Sequence, residues 1–135
     1  MGTINFTILL RPTTKLNPDN TKNWYKISQL HYRQGNVERS LDTIRECLRL
    51  DQDHKSCGDH YRKVKKLNKH LVAANDHVQN GNWQKAFDSL DSAETANKDN
   101  VHQVKAEIYQ LKCRGAAETK TTDAIQHCNT YVTGV

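Results

Sequence analysis

The residues of this 135-residue chain whose types and spacing could do chemistry are its four cysteines and the histidines near two of them. Cys47 and Cys57 form one sequence-local pair, Cys113 and Cys128 a second. If each pair lies across a helix–helix reversal, its sulfurs can come within disulfide distance. Each bridge would close a short loop and stabilise the fold by roughly 3 kcal/mol on a chain-entropy argument. Two other fates stay open for these thiols. Cys47 also suits a free cysteine acting as a small core residue. His54, Cys57 and His60, with Cys47 upstream, gather zinc-ligand types, but H-x2-C-x2-H departs from the usual paired spacing of tight zinc sites.

No catalytic constellation accompanies them. Glycines are too sparse for a phosphate cradle, and no G-x-x-x-x-G-K occurs. No serine stands in a nucleophile elbow. The seven histidines are scattered; His70 and His77 share a helix face two turns apart and read as packing residues. Acidic residues such as Glu94 and Glu107 have no partner forced close by spacing. The chain is expected not to be an enzyme and to need no cofactor and no metal.

The elements that position the cysteines follow from an internal repeat. Gly35-Asn36 returns as Gly81-Asn82. At the same offsets come a small residue (Ser40, Ala86), two apolar residues (Leu41 and Ile44, Phe87 and Leu90) and another small residue (Cys47, Ala93). Each glycine can take the left-handed backbone that closes a helix, and the asparagine after it can start the next. Apolar stripes at helical spacing flank both turns. They are Val37, Leu41, Ile44 and Leu48, then Tyr61, Val64, Leu67, Leu71, Ala74 and Val78, then Trp83, Ala86, Phe87, Leu90 and Ala93. Helix, glycine turn, helix in a unit of about 34 residues is the tetratricopeptide pattern. Trp24 falls at its first aromatic position, and His70 replaces that residue in the second unit. Ser28, Ser40, Cys47, Ala74, Ala86 and Ala93 fall where paired helices cross too closely for large side chains. The usual proline after the second helix is absent. Gln52 stands there, with Asp51 and Asp53 beside it to cap.

The expected fold is an all-α tetratricopeptide-repeat superhelix of antiparallel helix pairs, about three repeats in all. Residues 21–54 form the first repeat, 55–66 a helical extension, 67–100 the second repeat and 101–135 a degenerate third. One long helix is expected from about His54 to Asn80. In the third unit the stripe Val101, Val104, Ile108 and Leu111 precedes a long turn from Arg114 to Thr122. A stripe of Ala124, Ile125, Cys128 and Val132 follows it. Residues 1–20 read as a poorly ordered lead-in, without the basic start or cleavage site of a signal peptide. The chain stops without a polar capping helix, which points to a fragment or a truncated product. Asn5-Phe6-Thr7 is a glycosylation sequon, relevant only in a secretory compartment.

Composition agrees. Hydrophobic residues are 36% and charged residues 26%, lean for a globular core but suited to a stack in which each helix buries one stripe. The net charge is +5, concentrated in the run Arg62 to Lys69. That run reads as the solvated face of a long helix, because a nucleic-acid patch needs base-reading groups and only Tyr61 is adjacent. No apolar run approaches the ~20 residues of a membrane span. Neither nucleic acid nor membrane is an expected partner.

The residues from Leu41 to Lys69 carry a more specific signature. Arg-Glu-Cys-Leu occupies 45–48, Leu-Asp-Gln-Asp-His-Lys 50–55 and Val-Lys-Lys-Leu-Asn-Lys 64–69. This stretch closely resembles the DnaJ homolog subfamily C member 3 family, tetratricopeptide-repeat co-chaperones of the endoplasmic reticulum lumen linked to the unfolded protein response. The resemblance is strong from Trp24 to Lys69, continues in register to about Tyr131 and leaves residues 1–20 unmatched. It implies repeats stiffened by two local disulfides, here Cys47–Cys57 and Cys113–Cys128. It also implies binding of unfolded or client polypeptide. In that family a J domain stimulates the lumenal Hsp70. His-Pro-Asp occurs nowhere in this sequence, so Hsp70 stimulation is not expected of it. The family is also described as inhibiting the kinases that phosphorylate translation initiation factor two, which implies as an alternative a scaffold docking on a stress-responsive kinase.

A stacked-helix array meets partners along the exposed groups of the first helix in each repeat. Asn23, Lys26, Gln29, Tyr32 and Arg33 are the candidates in the first unit, and Asn68, Asn75 and Gln79 in the second.

Overall fold

Two glycines reverse the chain. Gly35 and Gly81 have φ of 82° and 72°, a region that strains any residue with a Cβ. Each reversal closes with the same pair of backbone bonds. Gly35 N–H donates to Tyr32 O at 3.0 Å and Asn36 N–H to His31 O at 2.8 Å. Gly81 N–H donates to Val78 O at 3.1 Å and Asn82 N–H to His77 O at 2.9 Å. The Asn82 side chain then accepts from Lys85 N–H at 3.3 Å, whereas Asn36 makes no such bond.

The computed structural model describes residues 20–120, 128 and 129. Its helices are α1 (Asn20–Arg33), α2 (Val37–Leu50), α3 (Lys55–Gln79), α4 (Trp83–Ala96) and α5 (His102–Thr119). No strand occurs among the described residues. The chain divides into two compact units, Met1–Val64 and Lys65–Val135, and α3 contributes residues to both. In the first unit α1 and α2 form a helical hairpin with Trp24, Ile27, Val37, Leu41 and Ile44 inside. In the second, α4 and α5 bury Leu90, Val101, Val104 and Ile108. All six small positions read from the repeat have no exposed surface: Ser28, Ser40, Cys47, Ala74, Ala86 and Ala93.

The long helix lies where the periodicity predicts it. Asp51 closes α2, its N–H donating to Cys47 O, and its carboxylate accepts from Asp53 N–H at 3.1 Å. With Asp51 occupied in its own turn, His54 caps α3: the imidazole Nδ1 accepts from Cys57 N–H at 3.2 Å.

The third unit departs from expectation at its turn. The sequence predicts a break from Arg114, yet α5 continues through Gly115 to Thr119. Gly115 serves contact here and not flexibility, since an added Cβ would stand 2.5 Å from Trp83 Cε3. The helix ends at Thr119, and Lys120 caps it in the left-handed region with φ of 54°. The stripe Ala124, Ile125 and Val132, the sequon and residues 1–19 lie outside the described residues. Asn20, counted with the lead-in, is the buried first residue of α1.

Candidate functional site

Lys26, Leu30 and Arg33 recur at helical spacing along one face of α1, and all three are exposed. Leu30 stands out, with 56% of its surface in solvent. Asn23 and Gln29 are half-buried, and Asn23 Nδ2 donates to Asn20 Oδ1 at 2.8 Å. Tyr32 is not an exposed contact as its type and position suggest. Only 3% of it is accessible. Its ring lies beneath Lys63 Nζ, 4.9 Å from the centroid, and edge-on to His60 at 5.5 Å. Burying so much aromatic area outweighs leaving the hydroxyl free for a partner.

Beneath this surface is a polar knot that sequence reading missed. Ser28 Oγ donates to Ser40 O at 2.7 Å, and Ser40 Oγ donates to Ser28 O at 2.8 Å. His60 Nε2 lies 3.0 Å from Ser28 Oγ and 3.3 Å from Ser40 Oγ. The two hydroxyls also lie 2.9 Å apart, and whether His60 Nε2 donates or accepts here follows from its tautomer. Tyr25 and Tyr32 flank the imidazole in edge-to-face contact. The available signal was hydroxyl residues at two small positions where alanine would also fit. His31, buried near the end of α1, is held below the usual histidine range by burial and then by the Arg39 charge.

In the second unit Asn75 and Gln79 are exposed and Asn68 is half-buried. Asn75 Nδ2 donates back to Leu71 O at 3.0 Å. Past them a shallow depression of about 550 Å³ is lined by Asn80, Asn82, Trp83, Gln84, Phe87 and Thr119, with Gly81 at its rim. The rings of Trp83 and Phe87 meet at 6.2 Å, and the Arg114 guanidinium covers Trp83 at 5.7 Å.

Glu94 has partners that its sequence neighbourhood does not reveal. Tyr109 Oη donates to its carboxylate, and Lys112 Nζ donates to it at 3.2 Å and to Asp91 at 2.7 Å. Lys112 is buried while Asp91 keeps most of its surface wet. Burial pushes the Glu94 carboxyl up, but the bonds from Tyr109 and Lys112 outweigh it and hold the group below its usual value. Burial likewise pulls Lys112 down, and the hydrogen bonds to Asp91 and Glu94 reverse it, so the ammonium is kept charged. The bond to Glu94, then burial, push Tyr109 up to about 12. This network ties α5 to α4.

The four cysteines form two bridges, Cys47–Cys57 with Cα atoms 6.4 Å apart and Cys113–Cys128 at 4.6 Å. The first spans α2 and α3 and the second fastens α5 to residue 128. His60, grouped with the cysteines by sequence, points instead to the serine knot. The basic run Arg62 to Lys69 alternates exposed Arg62, Lys65, Lys66 and Lys69 with buried Val64 and Leu67, as an amphipathic helix face requires. Among the described residues no helix is long and apolar enough to cross a membrane.

No protein-family model matches the chain. DnaJ homolog subfamily C member 3 of Gallus gallus is 38% identical over 120 residues, covering 88% of this chain and 24% of the relative. The Homo sapiens protein of the same name is 47% identical over 83 residues, covering 62% of this chain and 16% of the relative. The chain thus spans about a quarter of the length of the curated relatives it matches. Among solved structures, the crystal structure of the P58(IPK) TPR domain superposes with a TM-score of 0.81 at 35% identity, covering 92% of this chain and 34% of that one. This chain is an all-α tetratricopeptide-repeat module related, over most of its length, to the DnaJ homolog subfamily C member 3 co-chaperones.

Proposed function

We propose that this chain is a polypeptide-binding repeat segment of a lumenal co-chaperone, holding unfolded client chains for a partner folding machine. One observation carries the reading: the exposed Leu30 on α1 between Lys26 and Arg33, an apolar step on a basic helix face. An unfolded chain offers apolar side chains and carboxylates with free backbone, which such a face can take without a fixed sequence. Two disulfide bridges fit an oxidising compartment, which supports the endoplasmic reticulum lumen.

The test is a binding titration of the full chain with a reduced, alkylated unfolded protein and, in parallel, a native kinase domain. Saturable binding to the unfolded protein is expected, and Leu30→Ser should weaken it about fivefold, from the ~1 kcal/mol that a half-exposed leucine can still bury. Binding to the native kinase domain with indifference to unfolded chains would overturn the reading in favour of the kinase scaffold. Partner binding through the second unit alone would show as an unchanged affinity in Leu30→Ser and would remove α1 from the site.

A further inference from the structure

The turn between α2 and α3 gathers three metal-ligating side chains. One ligand atom from each of Cys47, His54 and Cys57 lies within 4.8 Å of the others. The sequence spacing C-x6-H-x2-C looks unpromising for a metal, but the reversal folds His54 back over both sulfurs. The sulfurs are fully buried and joined, whereas His54 is half-buried at the edge of a solvent-facing turn. Cys57 stands in the first turn of α3, where the helix N-terminus favours a thiolate. His54 already aims the Nδ1 lone pair into this corner, where it accepts from Cys57 N–H at 3.2 Å. Two thiolates and a neutral imidazole are the ligand set of a tetrahedral thiophilic ion, with bonds of about 2.3 Å to sulfur and about 2.0–2.1 Å to nitrogen and a fourth position left to water.

We infer that Cys47, His54 and Cys57 form a redox-gated zinc site, closed as a disulfide and opened by a dithiol. In the opening step the dithiol reduces the Cys47–Cys57 bond. The S–S bond breaks, two electrons and two protons pass to the sulfurs, and the dithiol becomes its cyclic disulfide. Zn²⁺ then binds both sulfurs and displaces those two protons to solvent. The Nδ1 lone pair moves from the Cys57 N–H to the ion, so the cap is exchanged for a metal bond. Disulfide and zinc compete for the same sulfurs, and the state of the site reports the redox poise around the chain.

The full chain carrying Cys113→Ser and Cys128→Ser isolates this pair of thiols. It is reduced with a phosphine, titrated with Co²⁺ and then challenged with Zn²⁺. The expected result is one Co²⁺ per chain with a thiolate-to-cobalt charge-transfer band, lost on adding Zn²⁺ and missing in the unreduced sample. His54→Ala, with helix content unchanged by circular dichroism, should weaken Zn²⁺ binding by at least about tenfold, the scale on which removing even a supporting partner acts. A reduced protein without the band, or the same Zn²⁺ affinity in His54→Ala, overturns the site. If the double serine variant does not fold, the same comparison is made on the otherwise unsubstituted chain. There, less metal bound by the His54→Ala variant than by its parent supports the site, and equal metal overturns it.

Discussion

Replacing Gly115 by alanine sets two effects of opposite sign against each other. Alanine is favoured over glycine in a helix by about 0.8–1.0 kcal/mol. At Gly115, however, the new Cβ would stand 2.5 Å from Trp83 Cε3 and 2.8 Å from Phe87 Cζ, closer than Cβ atoms come to other heavy atoms. Both rings must move, and overpacking of this kind costs about 1–3 kcal/mol. Shifting Trp83 also disturbs the Arg114 guanidinium 5.7 Å above it, a contact worth about 0.5–1 kcal/mol at an exposed site. The steric effect wins, and Gly115→Ala is expected to destabilise by about 1–2 kcal/mol. Gly58 is the control. Its nearest neighbour to an added Cβ is Arg62 Nη1 at 3.5 Å, the end of a flexible side chain. Gly58→Ala should therefore keep the propensity gain, up to about 1 kcal/mol. Urea unfolding followed by far-ultraviolet circular dichroism measures both, with Trp83 emission as a local report. A Gly115→Ala midpoint at or above that of the parent, while Gly58→Ala rises, would refute the packing role assigned to this glycine.

The other expectations are briefer. Ser40→Ala removes one hydroxyl of the buried knot and takes the side-chain donor away from the Ser28 carbonyl. A loss of about 1–3 kcal/mol is expected in the urea midpoint, and Ser28→Ala with Ser40→Ala should cost less than the sum because the two share partners. Cys47→Ser with Cys57→Ser opens a loop of sequence separation 10 and should cost about 3 kcal/mol, read from unfolding under non-reducing conditions. Stability should also depend on pH at both ends of the range. Tyr109 is raised from 10.0 to about 12 in the folded state, so its contribution is complete below pH 10 and is lost as pH rises toward 12. Glu94 is lowered from 4.5, so its contribution is present above pH 4.5 and is lost as pH falls below that value. Tyr109→Phe should remove the alkaline loss in thermal unfolding; an unchanged alkaline limb would rule Tyr109 out as its source.

Local signals determined the scaffold. Gly35 and Gly81 specify left-handed turns whatever lies around them, and the apolar stripes specify which side of each helix is hidden. The small residues at Ser28, Ser40, Cys47, Ala74, Ala86 and Ala93 mark the crossings, because steric room is written into residue size. What the sequence could not decide is which polar groups those crossings would bury. His60 joins serines 20 and 32 residues earlier, and Glu94 meets Tyr109 and Lys112 at 15 and 18 residues' distance. Tyr32 is hidden because Lys63 and His60 lie over it, and Gly115 stays helical because two rings of α4 press on it. Periodicity describes a face but not its occupant, so these pairings exist only once the helices are laid against one another.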